Sequence, residues 1–385
     1  MLLLCALFFL ALAAHPFTTY PASLHLIRRM RKRASFPRAT PDREPTFAVL
    51  VPAYNEERII RDKIENLLAL QSSVRSCELL VYVDAATDRT AELLQPYADR
   101  ITVVVGDVRR GKSHGLNVLV ARATADILVF TDANVILDPQ ALHRLGAHFC
   151  DPSVGCVSGH LKYGNGDESA TAASGNMYWK LEEQIRQLES DTVGIVGVDG
   201  SLFATRRSLH VAVPPDIIDD FYVSMKILLN GHRVVRAPDA FAFERTGSDA
   251  HEEFGRKVRI ACQAFNVHRL LWSEIRKARA GIIYAYVSHR LLKWLIAYNL
   301  VLAGVLALAW MLIEMNPLHV AIIAASTAGG FAAGWLLNLR PFPQIGSMLI
   351  AFAGVGWGVF RSLRGDRFQT WAPMTTARAR ADAAR

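Results

Sequence analysis

The sequence has no CxxC pair, no zinc-finger spacing and no disulfide framework. Its five cysteines, Cys5, Cys77, Cys150, Cys156 and Cys262, are scattered along the chain. That pattern excludes a zinc module and a small disulfide scaffold, and the thiols read as reduced. Charge is also sparse, at 20% of residues against 51% hydrophobic, which excludes a disordered or collagen-like chain. No internal repeat or low-complexity tract is present. The 385 residues allow two or three units at about 150 residues each. Lys and Arg number 43 against 35 Asp and Glu. The arginines cluster beside apolar segments and near the C-terminus, a pattern of membrane surfaces rather than of nucleic-acid binding.

The apolar residues are concentrated at the two ends. Residues 1–27 open with MLLLCALFFLALAA and remain mostly apolar to Ile27, enough for one transmembrane helix of roughly 20 residues. The rival is a cleaved signal peptide, because Ala11-Leu12-Ala13 resembles a small-residue cleavage site. Such a peptide requires a cationic segment ahead of the apolar core, and here Arg28, Arg29, Arg31, Lys32 and Arg33 follow it instead. By the positive-inside rule these cations hold the next domain in the cytoplasm. Residues 28–45 form a basic juxtamembrane linker, and 46–280 have the alternating short apolar and amphipathic stretches of an α/β domain. Residues 281–360 hold an interfacial helix, Ile282 to Lys293, followed by two or three membrane segments at 294–313, 318–337 and 344–360. A basic tail, 361–385, carries Arg361, Arg364, Arg367, Arg378, Arg380 and Arg385. Three C-terminal crossings after the N-terminal one would place this tail outside, whereas its charge favours the inside. The expectation is an inside tail, with the third segment re-entrant or lying in the interface.

Within 46–280, four strand-like runs end in polar residues. Phe47–Val51 leads into Pro52-Ala53-Tyr54-Asn55-Glu56, and Glu78–Val83 into Asp84. Ile101–Val105 leads into Gly106–Asn117, and Ile127–Phe130 into Thr131-Asp132-Ala133-Asn134. Asx residues at strand ends also cap helices, but four in succession point to a ligand crevice at the carboxyl edge of a parallel sheet. Gly106 to Ser113 also satisfies the phosphate-loop pattern GxxxxGK[ST], which leaves a nucleoside triphosphatase as an alternative. Against it, Asp107 and two arginines occupy positions where backbone amides should cradle phosphate. A non-catalytic saccharide-binding membrane protein is a further alternative. A transporter is disfavoured because the spans hold hardly any polar residue.

Together these residues resemble the membrane-anchored family 2 glycosyltransferases of GT-A fold, related to cellulose, hyaluronan and poly-N-acetylglucosamine synthases. The resemblance implies an α/β fold with a Rossmann-like, mostly parallel sheet, flanked by transmembrane helices. It implies that Pro52, Tyr54, Glu56 and Asp84 hold the nucleobase and ribose, and that Gly111-Lys112 with Leu116-Asn117 is the family's Gly-Lys-x-x-x-Leu-Asn stretch. Asp132-Ala133-Asn134 stands at the Asp-x-Asp metal motif, where Mg²⁺ or Mn²⁺ would bridge the donor diphosphate. Asn134 replaces the commoner Asp. Asp199, Gly200 and Ser201, with Trp179 upstream, match the acceptor side. Asp219-Asp220 match the catalytic acidic pair, with Asp220 as the base and Asp219 in support. Arg259 matches the arginine of Gln-x-x-Arg-Trp and would pair with the diphosphate, while Arg256 and Ile260 replace the Gln and Trp. The implied partners are a nucleotide-sugar donor, UDP-linked by the resemblance, a saccharide or lipid acceptor, and the membrane, with no nucleic acid. The donor sugar, processivity and further synthase subunits stay open.

Overall fold

A computed structural model describes residues 1–30, 45–163, 170–244 and 250–370. An eight-stranded sheet organises the central part of the chain, in the order β3-β2-β1-β4-β7-β6-β8-β5. The strands are β1 (Phe47–Ala53), β2 (Cys77–Val83), β3 (Thr102–Val105), β4 (Ile127–Thr131), β5 (Val135–Leu137), β6 (Val154–Tyr163), β7 (Leu202–Arg206) and β8 (Arg233–Glu244). The first four are parallel, as the sequence predicts. In the other half β6 pairs β8 in parallel as well, so four of the seven strand pairings are parallel, as expected of a mostly parallel sheet. Strand β7 runs antiparallel to both β4 and β6, and β5 is antiparallel to β8, so the sheet is mixed. β7 follows the helix Ala170–Asp191 and the loop after it, and enters the sheet between β4 and β6.

Alternation along the strands builds two apolar layers, one on each face of the sheet. Phe47, Val49, Val51 and Ala53 of β1 join one layer, while Ala48 and Leu50 join the other. Helices α1 (Leu2–Ala14), α2 (Thr19–Met30), α3 (Ile60–Gln71), α4 (Thr90–Leu94), α5 (Lys112–Arg122), α6 (Ala141–His148), α7 (Ala170–Asp191), α8 (Asp219–Leu229) and α9 (Ala250–Ile275) precede the C-terminal segment. The layer containing Leu50 also takes in Tyr20, Leu24, Ile282, Tyr286, Trp294 and Val359. The membrane-proximal segments and the sheet domain therefore share one core.

The N-terminal apolar stretch is not one straight helix. α1 and α2 are bent by 50° about a short turn at His15–Phe17. Pro16 cannot donate a helical hydrogen bond, and the His15 ring is held by Thr19 Oγ1 at 2.6 Å and Ser288 Oγ at 2.9 Å. α1 packs along α12 (Ile296–Glu314), which follows α10 (Ala280–Ala285), a π-turn at Tyr286–Leu291 and the short α11 (Leu292–Trp294). Within the Ile282–Lys293 stretch His289 is fully buried inside the protein.

Helices α12, α13 (Pro317–Leu336) and α14 (Phe342–Leu363) are each long and apolar enough to cross a membrane. α14 differs from the other two. It packs along α9, with Gly354 against Phe254 and Lys257, and Gly358 against Val258, Ala261 and Cys262. Its far side exposes Leu349, Ile350, Trp357 and Phe360. Beyond α14, Arg367 pairs with Asp216, Gln263 Nε2 donates to the Phe368 carbonyl at 2.7 Å, and Gln369 Nε2 donates to the Arg110 carbonyl at 3.1 Å. This segment therefore lies back on the sheet domain. Arg31 to Arg33 and Arg378 to Arg385 fall outside the described residues.

Candidate active site

The polar strand ends converge on one edge of the sheet. Tyr54, just past β1, is half-buried with the Arg109 guanidinium 3.7 Å above its ring. Pro52 lies within β1 and is buried, and buried Glu56 donates its backbone N–H to Thr90 Oγ1 at 2.8 Å. Asp84, past β2, is fully buried, and its two oxygens accept the Arg110 and Gly111 amides, both at 2.8 Å. These bonds fold the 106–111 loop against β2. Gly111 takes a left-handed φ of +89° there, which a side chain would strain. The phosphate-loop reading loses support from the same contacts. The two amides are turned to Asp84, and the Ser113 hydroxyl donates to the Ile217 carbonyl at 2.7 Å.

Lys112, the first residue of α5, reaches across the crevice. Its ammonium lies 2.8 Å from Asp132 Oδ1 and 3.5 Å from Asp219 Oδ1. Burial acts to lower its pKa, but the carboxylates of Asp132, Asp219 and Asp220 outweigh this and hold it above the ordinary lysine range. One cation thus joins the strand-end motif to the acidic pair at the start of α8. Asp219 is buried, with Oδ2 lacking a partner among the described residues, and burial raises its pKa against the pull of Lys112. Burial, reinforced by the neighbouring Asp219, pushes Asp220 up to about 7. Asp220 Oδ1 accepts the Phe221 amide at 2.6 Å.

Gly200, in the loop before β7, lies directly against Asp220. A Cβ added at Gly200 would lie 2.7 Å from Asp220 Oδ2, so glycine is needed for this approach. Asp199 is held by Arg186 Nη1 at 3.2 Å and accepts the Ser201 amide at 2.9 Å. Its pKa is lowered: burial alone would raise it, but Arg186 and the Ser201 bonds prevail. Trp179 donates to the Leu161 carbonyl at 3.4 Å and lies beneath Arg186, with 5.3 Å from the guanidinium to the ring centre. Arg259, on α9, is electrostatically coupled to Asp132; burial and Arg256 lower its pKa while Asp132 raises it.

The donor set at the strand end suits a divalent cation. Asp132 and the Asn134 amide offer hard oxygens, and two protein ligands leave positions for phosphate oxygens, as Mg²⁺ and Mn²⁺ sites do. Among the described residues no cluster of three His, Cys, Asp or Glu stands ready to hold an ion without such help. Asn134 Nδ2 donates to Glu244 Oε1 at 2.8 Å, which leaves Oδ1 at the opposite end of the amide. Burial pushes Glu244 up to about 7. Sequence reasoning missed Glu244, Arg186 and Arg109. Glu244 lies 110 positions from Asn134 and only the β5–β8 pairing brings them together. Arg109 carried a signal, since it disturbs the phosphate-loop pattern.

Residues 48–212 match the family model described as Glycosyl transferase family 2. The chain is 27% identical over 201 residues to a poly-beta-1,6-N-acetyl-D-glucosamine synthase of Staphylococcus aureus (strain COL), covering 50% of this chain and 48% of that one. It is 24% identical over 217 residues to an N-acetylglucosaminyltransferase of Rhizobium leguminosarum bv. viciae, covering 51% and 50%. The chain thus spans about half the length of the curated relatives it matches. Among solved structures, a mannosyltransferase from Pyrobaculum calidifontis in complex with GDP-Man and Mn²⁺ superposes with a TM-score of 0.75 at 22% identity, over 95% of this chain and 100% of that one. Residues 48–212 thus form a glycosyl transferase family 2 domain, and the chain shares the GT-A fold of that solved structure.

Proposed function

We propose that this protein is an integral membrane glycosyltransferase. It moves a sugar from a nucleotide donor, UDP-linked, to a saccharide or lipid acceptor, with inversion at the anomeric carbon. The observation that carries this reading is the placement of Asp220. Its carboxylate, raised to about 7, stands against Gly200 on one side and belongs to the group gathered around Lys112 on the other. A base with a pKa near the working pH is suited to taking the proton of an attacking hydroxyl. Asp219 supports it. Asp132 and Asn134 would hold the cation, which when bound supplies charge stabilisation for the departing nucleoside diphosphate. Lys112 and Arg259 add positive charge to the same place, while Tyr54, Glu56 and Pro52, with the loop folded by Asp84, form the nucleoside wall. Asp199, Ser201 and Trp179 line the acceptor side.

The catalytic domain is assigned to the cytoplasmic side. α1, α12 and α13 cross the membrane, and α14 lies in the interface along α9, which brings residues 364–370 back to the domain. This arrangement puts Arg28, Arg29, Arg361, Arg364 and Arg367 on one side, in agreement with the charge rule. A panel of nucleotide sugars, with Mg²⁺ or Mn²⁺ and the lipid-embedded full chain, tests the activity through released nucleoside diphosphate. UDP-N-acetylglucosamine, which carries the sugar printed in the names of the curated relatives, stands first in the panel, and GDP-mannose serves as a comparison. Release from a UDP donor, with inverted configuration of the product, is the expected result. No release from any donor would overturn the reading.

A further inference from the structure

The π-turn at Tyr286–Leu291 precedes a membrane-length helix, yet its cations point into the protein. A π-turn inserts an extra residue into a helix and often marks a functional position. Arg290 Nε donates to the Val196 carbonyl at 2.5 Å and Nη2 to the Gly197 carbonyl at 2.7 Å. Its guanidinium also lies 5.4 Å from the centre of the Phe221 ring. Phe221 directly follows Asp220, and its ring packs against Tyr286 and Trp294 at 6.4 and 5.8 Å. Gly197 has a φ of +92°, and a Cβ there would fall 2.5 Å from Phe221 and 2.7 Å from Arg290 Nη2. Backbone, arginine and phenylalanine fit together only around a glycine.

The same loop is gripped from its other side. Glu189 of α7 accepts the Val196 amide at 3.3 Å, and Arg186 of α7 holds Asp199 at 3.2 Å. His289 joins this helix to the π-turn, 2.7 Å from Glu189 Oε1 and 3.1 Å from Glu182 Oε1. Lys293 adds a 2.6 Å bond to Glu182, and Tyr20 of α2 a 2.6 Å bond to Glu189. The loop so held ends in Gly200, which abuts Asp220.

We propose that Arg290 is a positioning residue for the catalytic base: it fixes the 196–200 loop and the first turn of α8 relative to each other, and so ties the geometry at Asp220 to the root of α12. This rests on the reading of Asp220 as the base. Small displacements at a reacting centre can lower a rate by about a hundredfold, whereas nucleotide binding at the far strand ends does not depend on this joint.

The test uses the full chain in lipid nanodiscs with the donor that supports turnover. Arg290→Gln is expected to lower kcat by about tenfold or more while the donor KM stays within about twofold. Arg290→Lys, which keeps a cation and a donor, recovers part of the loss. Gly197→Ala, which crowds the same joint, reproduces the fall in kcat and serves if Arg290→Gln does not fold. A kcat within twofold of wild type in folded Arg290→Gln would overturn the proposal, as would a loss that tracks donor affinity. If Asp220→Asn retains full turnover, the base assignment itself fails. If Asp220→Asn is inactive and Arg290→Gln and Gly197→Ala turn over normally, only the present inference fails.

Discussion

Asp220 has two measurable consequences that follow from one environment. As a base it acts in its ionised form, so kcat should rise with pH through about 7, the value to which burial and Asp219 push it. A pH–rate profile checks this; an acid limb near 4 would show an ordinary exposed carboxylate. The sign for stability is opposite. The folded-state pKa lies above the unfolded value of about 3.9, so between these values the folded state binds more protons than the unfolded one. Stability therefore falls as pH rises through that window. Asp220→Asn should melt higher than wild type at pH 8, and the difference should shrink as pH falls through the window and vanish only below the unfolded value, under about pH 4. Lys112 is the counterpart. Its removal leaves Asp132 and Asp219 without their shared cation, and Lys112→Met should lower stability by about 1–3 kcal/mol, read from chemical denaturation. Unchanged stability would mean that the bridge is solvent-screened.

Elements explain which part of the site could be read beforehand. Each of β1, β2 and β4 carries its polar end at the next position in the chain, so Tyr54, Asp84 and Asp132 were legible as a group. The opposing wall was harder. Asp220 meets Gly200 through the acceptor-side loop and α8, and nothing in local spacing fixes that approach; it was reached only through the resemblance. Asp84 was legible as a strand-end carboxylate, but its two amide partners depend on how the 106–111 loop closes. The antiparallel entry of β7 has no periodic signature either, so the mixed half of the sheet was not legible. Helix α14 shows the same limit. Its length resembles a span, whereas Gly354 and Gly358 face α9. A Cβ at Gly358 would meet the Val258 carbonyl at 2.5 Å, and that backbone atom cannot yield cheaply. Gly358→Ala should therefore cost about 1–3 kcal/mol by overpacking. Gly329→Ala on α13, which has open space around it, should leave the unfolding midpoint unchanged. Equal effects of the two substitutions would contradict the docked position of α14.

For the whole molecule, the shared core and the returning segment after α14 imply a definite arrangement in the bilayer. Cysteines placed at Asp99 and Arg364, both exposed, should react with an impermeant maleimide from one side of sealed vesicles. A cysteine at Asn316, between α12 and α13, should react from the other side. Reaction of positions 364 and 316 from the same side would require α14 to cross. On the proposed arrangement the high apolar content would anchor the chain at both ends of the sheet domain.

The central claim is that Asp220 performs glycosyl transfer in a nucleotide-sugar site. Its most direct test is to measure nucleoside diphosphate release and donor binding side by side for wild type and Asp220→Asn. Loss of release by about a thousandfold or more, with donor affinity within about threefold, is the predicted result. Undiminished release by Asp220→Asn would contradict it.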